Sequence, residues 1–308
     1  MPSAGTSAGA LPVTALKALA RRSDGPGLAH LAGHLALLGA TGAWVALATG
    51  TPWIAPALGV HGVILVFLFA PLHETIHRTA FRARGLNDAV AWVCGALLAL
   101  PPVYFRAFHF AHHRYTQDPA RDPELTTPKP RTLAQYLVYV SGVAYWRRQL
   151  GGLAQHAMGR VDEPFIAPRQ RPAVVREARV LLAAYGGLAL GSIVLGSVAV
   201  LVYWLIPVAL GQPFLRMYLL AEHTGCPHVP DMLANSRTTR SNRAMRLLAW
   251  NMPYHAEHHA YPALPFHALP GAHDMLAPLI RHKARGYIQV QRHIVGAFWR
   301  RGAPAIET

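Results

Sequence analysis

Charged side chains are scarce in this sequence, and two long stretches have none. Asp, Glu, Lys and Arg make up 14% of the 308 residues against 52% hydrophobic, and residues 25–72 and 180–215 contain none of the four. Soluble domains carry about 25% charged residues, so this distribution excludes an ordinary soluble fold. The first uncharged stretch holds two helices of about 20 residues, the length that crosses a hydrocarbon layer about 30 Å thick, and the second holds two slightly shorter ones. The expected fold is therefore an all-α integral membrane protein with two transmembrane helical hairpins, at 28–72 and 180–215, making about four spans. Gly50, Thr51 and Pro52 supply the first turn, and residues 191–197 contain the second.

Cysteine is nearly absent. Cys94 and Cys226 stand alone, which excludes a disulfide framework and a thiolate metal site and leaves packing as their role. The first 27 residues have no apolar run between an early basic cluster and a cleavage site, so they read as a cytoplasmic tail and not a cleaved leader. Acidic residues are also few, 14 against 29 Lys and Arg, for a net charge of +15. The basic residues flank the uncharged stretches: Arg21 and Arg22 before the first, Arg78, Arg82 and Arg84 after it, Arg179 and Arg216 around the second, with neither turn charged. That distribution places both termini and the polar segments in the cytoplasm, with part of the charge meeting anionic lipid. No nucleic acid partner is expected, because no recognition motif accompanies the charge.

Between the hairpins, residues 89–105 form a further apolar run of marginal length ending in Pro101 and Pro102. A span there would carry Arg106, Arg114, Arg147 and Arg148 across the membrane, so the run is read as re-entrant or interfacial. Residues 145–179 read as a basic, partly helical interfacial connector. The membrane domain is expected to cover 28–280, followed by a cytoplasmic helix and tail over 281–308.

What the sequence has in abundance is histidine, 18 in all. HETIH at 73–77 satisfies H-E-x-x-H, the signature of a zinc peptidase with Glu74 as general base, but it also satisfies the looser H-x-x-x-H. A single H-x-x-x-H carries little weight, since His30 and His34 repeat it inside the first apolar stretch; these two, and His61, read as structural. The triplet H-x-x-H-H occurs twice, as HFAHH (His109, His112, His113) and HAEHH (His255, His258, His259). At this composition one such triplet is expected by chance at roughly 5%, and two at well below about 1%. On a helix each triplet aims three imidazoles to one side. With His73 and His77 they make eight nitrogen ligands at one membrane face, more than one zinc ion can use and suited to two transition-metal ions. His223, in AEHTG at the exit of the second hairpin, is a ninth candidate. His156, His228, His267, His273, His282 and His293 default to surface or packing roles, with His228 and His267 nearest the boxes.

Taken together, HETIH, HFAHH and HAEHH resemble the three histidine boxes of the membrane-bound fatty acid desaturase and hydroxylase superfamily, in that order and with a hairpin between the second and third. The segment NMPYHAEHHAYPALPFHALPGAH resembles bacterial desaturase-like members in particular. The likeness runs from Leu28 to about His273. It implies two iron ions held by His73, His77, His109, His112, His113, His223, His255, His258 and His259, with O2 as co-substrate and a lipid acyl or alkyl chain as substrate. An external electron donor is also implied, a ferredoxin, rubredoxin or cytochrome-type carrier with its reductase, together with a multi-pass location in a bacterial inner membrane. Leu219 stands where animal acyl-CoA desaturases carry an Asn, whereas EHTG at 222–225 is similar to the E-H-x-G of alkane monooxygenases. Two hairpins fall short of the six spans of those monooxygenases, and box two has two residues, not three, before its His-His pair. The H-P-G-G signature of a fused cytochrome b5 domain and a G-x-G-x-x-G cofactor loop are both absent.

Nine neutral ligands leave two cations uncompensated, so nearby carboxylates are expected to hydrogen-bond the outer ring nitrogens; Glu222, Glu257, Asp118 and Asp122 are the candidates. Desaturation of a lipid is the leading activity, with hydroxylation on the same scaffold as the alternative. Readings from other classes are a membrane zinc metalloprotease using HETIH, which leaves the two triplets idle, and a non-catalytic membrane protein using the histidines for metal transport or sensing, which requires polar residues along a transmembrane path, whereas here the ligands crowd one face.

Overall fold

The computed structural model describes residues 11–299. Residues 1–10 and 300–308, the outer parts of the two expected tails, lie outside the described residues. In chain order the helices are α1 (Val13–Leu19), α2 (Asp24–Ala48), α3 (Ile54–Val66), α4 (Phe69–His77), α5 (Arg84–Leu97), α6 (Pro102–Tyr115), α7 (Leu133–Ser141), α8 (Val143–Ala157), α9 (Arg171–Val194) and α10 (Ile206–His223). There follow α11 (Met232–Asn235), α12 (Arg243–Leu248), α13 (His255–Ala260), α14 (Leu269–Leu276) and α15 (Tyr287–Ala297). The only strands among the described residues are β1 (Arg237–Thr239) and β2 (His282–Ala284), a short parallel pair in register Arg237 to His282.

Uncharged chain in hydrocarbon must satisfy its own backbone, and helices do so within each segment. Four segments are long and apolar enough to cross a membrane: Asp24–Ala48, Ile54–His77, Pro168–Val194 and Leu201–His223. They form the two expected hairpins, turning at Gly50 (φ +78°) and Gly196 (φ +58°). Each helix outruns its uncharged stretch, since α4 continues through HETIH, α9 begins at Arg171, and α10 continues past Arg216 to His223. The hairpins meet backbone to backbone: a Cβ on Gly62 of α3 would sit 2.0 Å from the Pro207 carbonyl oxygen, and one on Gly211 of α10 would sit 2.1 Å from that of Gly62. Small residues permit such an approach between membrane helices.

The marginal apolar run does not form a straight span. It breaks at 98–101, and α5 and α6 meet there at 99°. Asp88 of α5 pairs with Arg78, just after HETIH, at 3.0 Å, and His109 of α6 packs on His77 with ring centroids 4.9 Å apart. Both limbs therefore start or finish beside HETIH, as a re-entrant element requires. Breaking a helix frees backbone groups that must find partners when buried, and other elements supply them. Tyr185 Oη donates to the Ala96 carbonyl (2.6 Å), Trp204 Nε1 to that of Leu97 (2.7 Å) and Gln149 Nε2 to that of Ala99 (2.8 Å). Buried Glu177 of α9 accepts from the amides of Val103 (2.8 Å) and Tyr104 (3.2 Å), capping α6 from another helix. Glu177→Ala is expected to cost about 1.5–3 kcal/mol, the range for hydrogen bonds to a charged group. A lower thermal midpoint in detergent would show it, and an unchanged midpoint would deny the cap its role.

α8 forms the first part of the basic connector, and α7 precedes it. The two helices expose Leu137, Val138, Val143 and Leu150, as interfacial helices do, and α8 carries Arg147 and Arg148. The C-terminal segment is less of an appendage than expected. β2 pairs with β1 and Gln291 of α15 donates to the Met217 carbonyl of α10, so the boundary placed at 280 falls inside the packed unit. At the other end, Leu11 is buried and its amide donates to Tyr261 Oη, which ties residues once read as tail to the loop after α13. The main core, with Trp250, Phe81, Phe266 and Leu72 fully buried, joins this loop region to α4.

Candidate metal centre

Four helices converge at one end of the hairpins, and each presents histidine on its inner face. α4 brings His73 and His77, α6 brings His109, His112 and His113, α10 ends on His223, and α13 brings His255, His258 and His259. Their nitrogens fall into two groups. Those of His73, His77, His109, His113 and His258 lie within 4.8 Å of one another, and so do those of His112, His223 and His259. His255 adjoins the second group, with its Nε2 2.9 Å from His223 Nε2. The groups touch where the rings of His113 and His259 stack at 4.1 Å. The structure thus brings all nine sequence-derived candidates together.

Their hydrogen bonding is incomplete in a way that suits metal. His258 is fully buried and neither ring nitrogen has a partner; His73 Nδ1, His77 Nε2 and His259 Nε2 are likewise sealed off and unbonded. Elsewhere nitrogen faces nitrogen, as in His113 and His109 at 2.9 Å and His112 and His223 at 3.2 Å. Buried polar atoms without partners are costly, and a cation among the converging lone pairs answers the cost. Burial, reinforced by neighbouring imidazoles, pushes His255, His258 and His259 well below the ordinary imidazole range. They are neutral at physiological pH, as metal binding requires. The residues present therefore fit two metal ions.

In the second group the outer nitrogens are held by acceptors. His112 Nδ1 donates to Asp122 Oδ1 (2.9 Å) and His223 Nδ1 to the Asn235 carbonyl (3.2 Å). Thr116 Oγ1 donates to the His112 carbonyl and accepts from His259 Nδ1 at 3.1 Å. With Nδ1 carrying the proton in each case, the three Nε2 lone pairs point inward.

Of the four carboxylates singled out beforehand, Asp122 sits as described and Glu222 lies 3.4 Å from His255 Nδ1. The other two do not face these histidines. Glu257 points to Thr238 and His273, because helix geometry sets it about 200° from His255 and about 100° from His258. Asp118 is taken up by Arg121 and by the amide of Ala120. Glu124 had not been anticipated. Its Oε2 is 3.4 Å from His112 Nε2 and its Oε1 pairs with buried Lys129 at 2.5 Å. Burial pushes its carboxyl upward, but Lys129 and the nearby imidazoles outweigh this and hold it below the usual carboxylate range. The loop Asp122, Pro123, Glu124 shortly after box two was the only sequence signal for it.

Glu74 turns out of the cluster: it is fully buried, and its Oε1 accepts from the Phe266 amide at 3.0 Å. That orientation overturns the peptidase reading, which needs this carboxylate beside the metal. Glu74→Gln preserves the acceptor and is expected to retain the metal and most of the activity; loss of activity beyond about 100-fold with the metal retained would return Glu74 to the chemistry. The bland readings of His34 and His61 fit their bonds to the Ile64 and Tyr203 carbonyls, and His228 bonds that of Gln117. His156 and His273, by contrast, are paired with Glu163 and Glu257.

Of the five non-glycine residues with positive φ among the described residues, Ala99 (φ +49°) lies at the α5–α6 break and the other four lie beside the boxes. Arg78 (φ +61°) follows box one, Gln117 (φ +63°) follows box two, and Trp250 (φ +48°) and Asn251 (φ +57°) precede box three. Left-handed conformations cost non-glycine residues about 1 kcal/mol or more and collect where the surrounding structure imposes them, often at functional sites.

A cavity of about 570 Å³ opens onto both groups, with His73 and His109 of the first and His112 and His255 beside the second on its wall. Near the histidines it is lined by Phe67, Phe69, Leu100, Phe105 and Met252, and toward the connector by polar residues including Arg147 and Arg148.

Comparison with known proteins gives this geometry a context. Residues 51–291 match the fatty acid desaturase family. The chain is 27% identical over 228 residues to a sphingolipid delta(4)-desaturase of Komagataella phaffii, covering 70% of this chain and 60% of that protein. It is 25% identical over 263 residues to dihydrorhizobitoxine desaturase of Bradyrhizobium elkanii, covering 77% and 70%. A sphingolipid delta(4)-desaturase of Drosophila melanogaster is 26% identical over 222 residues, covering 68% and 61%. The chain thus spans between 60% and 70% of the length of these relatives.

Proposed function

The chain belongs to the fatty acid desaturase family, and from that membership we propose that it is a membrane di-iron oxidoreductase that uses O2 to desaturate the alkyl part of a lipid. The observation that carries the reading is the cavity: one space is walled by histidines of both groups and by a run of aromatic and aliphatic side chains. A methylene chain lying there is desolvated and within reach of whatever the histidines hold. The names of the relatives, all desaturases, support the same reaction class.

When bound, iron supplies the chemistry that no side chain has, activation of O2 to an oxidant able to attack an unactivated C–H bond. Everything else falls to the chain. Phe67, Phe69, Leu100 and Phe105 hold the alkyl segment and exclude water from it. Asp122, the Asn235 carbonyl and Thr116 fix which nitrogen of His112, His223 and His259 faces inward. The overall change converts two adjacent CH2 groups to CH=CH and O2 to two waters, consuming two electrons and two protons from outside the chain. An acidic carrier such as a ferredoxin or rubredoxin is the proposed donor, drawn to exposed Arg82, Arg84, Arg114 and Arg243 near the boxes. The same distribution of arginine supports cytoplasmic termini, and the likeness to a desaturase of Bradyrhizobium elkanii supports a bacterial inner-membrane location.

Lipid profiling of an expressing host against one expressing His258→Ala tests the proposal, with unsaturated species expected only in the first. Identical profiles would count against it. Asp122→Asn is expected to weaken iron binding about 10- to 100-fold, as loss of a partner behind a ligand does. Iron titration of the two proteins measures this, and equal affinities would remove Asp122 from the site.

A further inference from the structure

Among the cavity's cations, Arg216 stands apart. It lies in α10, in a membrane-spanning segment, and only 9% of its surface is exposed, a position in which a charged residue needs a partner. Its guanidinium lies over the Tyr145 ring, 4.1 Å from the centroid, and this contact fixes its direction. Yet its Nε is sealed off without an acceptor, and among the described residues no carboxylate comes within 4 Å of it. The other buried cation on the cavity wall, Lys129, is already matched by Glu124 at 2.5 Å. Arg216 is thus a desolvated, oriented positive charge with no direct ion-pair partner, facing a substrate-sized space; Glu222, on the same wall, acts on it only from beyond 4 Å.

Taking the cavity as the substrate site, as proposed above, we infer that Arg216 docks an anionic group, carboxylate or phosphate, at the polar end of the substrate. A planar guanidinium held on an aromatic face is the side chain best suited to such oxyanions. Arg216 also sets a distance. His223 is seven residues further along α10, on the same helical face and about 10 Å away along the axis. Leu219 lines the cavity between them. An anion held at Arg216 therefore places the charged end of the substrate on the order of 10 Å of backbone rise from the histidines, so that carbons partway along the chain reach them.

The test uses full-length protein in nanodiscs of neutral phosphatidylcholine and three probes with the same C16 chain: palmitate, hexadecyl phosphate and hexadecanol. At least one anion is expected to bind about tenfold or more tightly than the alcohol, the effect of one charge-assisted hydrogen-bonded pair. The tighter of the two identifies the head group as carboxylate or phosphate. Arg216→Gln is expected to erase the preference while binding hexadecanol as the native protein does, and Arg216→Lys to keep part of it. Equal binding of all three probes to the native protein, or a preference that survives in Arg216→Gln, would overturn the inference. Equal binding by the native protein overturns the inference even if Arg216→Gln does not fold, and Arg216→Lys, which keeps the charge, is the second variant that ties a preference to this residue rather than to Arg147 or Arg148 on the same wall. Because the assay reads binding alone, anion preference without alkene formation would sink the proposed reaction and leave this inference standing, and alkene formation without anion preference would do the reverse.

Discussion

Purified His258→Ala is expected to carry fewer than two irons per chain and to have lost at least about 100-fold in product formation, more than the loss of a residue behind a ligand causes. His258 occupies the middle of the five-histidine group, its ring 4.7 Å from that of His73 and 4.8 Å from those of His77 and His113. Both its nitrogens are buried and unbonded, so no hydrogen bond to protein competes with a ligand role. The same feature makes the variant tractable. Deleting a buried polar group that has no partner removes a penalty from the metal-free protein, which offsets the packing lost. The fold is therefore expected to survive while the iron does not. Full iron content in this variant would show that His258 is a packing residue and that His73, His77, His109 and His113 hold the ion without it.

Ala70→Phe is expected to separate iron from turnover. Ala70 is buried one helical turn before His73 and lines the apolar part of the cavity beside Phe67 and Phe69. A phenyl ring there fills the space assigned to the alkyl chain without touching the bonds that orient the histidines. Overpacking of about 1–3 kcal/mol is the expected stability cost. Turnover of a long-chain substrate is expected to fall at least about 100-fold with iron content unchanged. Iron analysis and product formation on one preparation report both. Undiminished turnover would mean that the chain reaches the histidines by another route.

Much of this centre was legible in the sequence because its chemistry follows local periodicity. Histidines at i, i+3 and i+4 share a helix face wherever the helix sits, and an uncharged stretch long enough for two spans forms a hairpin whatever surrounds it. His223 was legible for a related reason, since the end of a span fixes its depth. Contacts between distant segments were not legible. Glu177 lies 74 residues from the amide it caps, Asn235 reaches His223 through a carbonyl, and Glu124 acts from a loop. Neighbouring residues on a helix diverge by about 100°. Hence Glu74 and Glu257, each beside a candidate ligand in the sequence, turn to Phe266 and His273 instead. Arg216 looked like a topological charge at the edge of an uncharged run, and only its burial against Tyr145 distinguishes it from the surface arginines.

The central claim is that two hydrogens leave adjacent carbons of an alkyl chain held beside paired metal sites. The mass of the product formed from a perdeuterated alkyl substrate tests it most directly. The account predicts loss of two deuterium atoms from neighbouring carbons with no oxygen gained. A product in which one deuterium has been replaced by hydroxyl would contradict it and make the protein a hydroxylase.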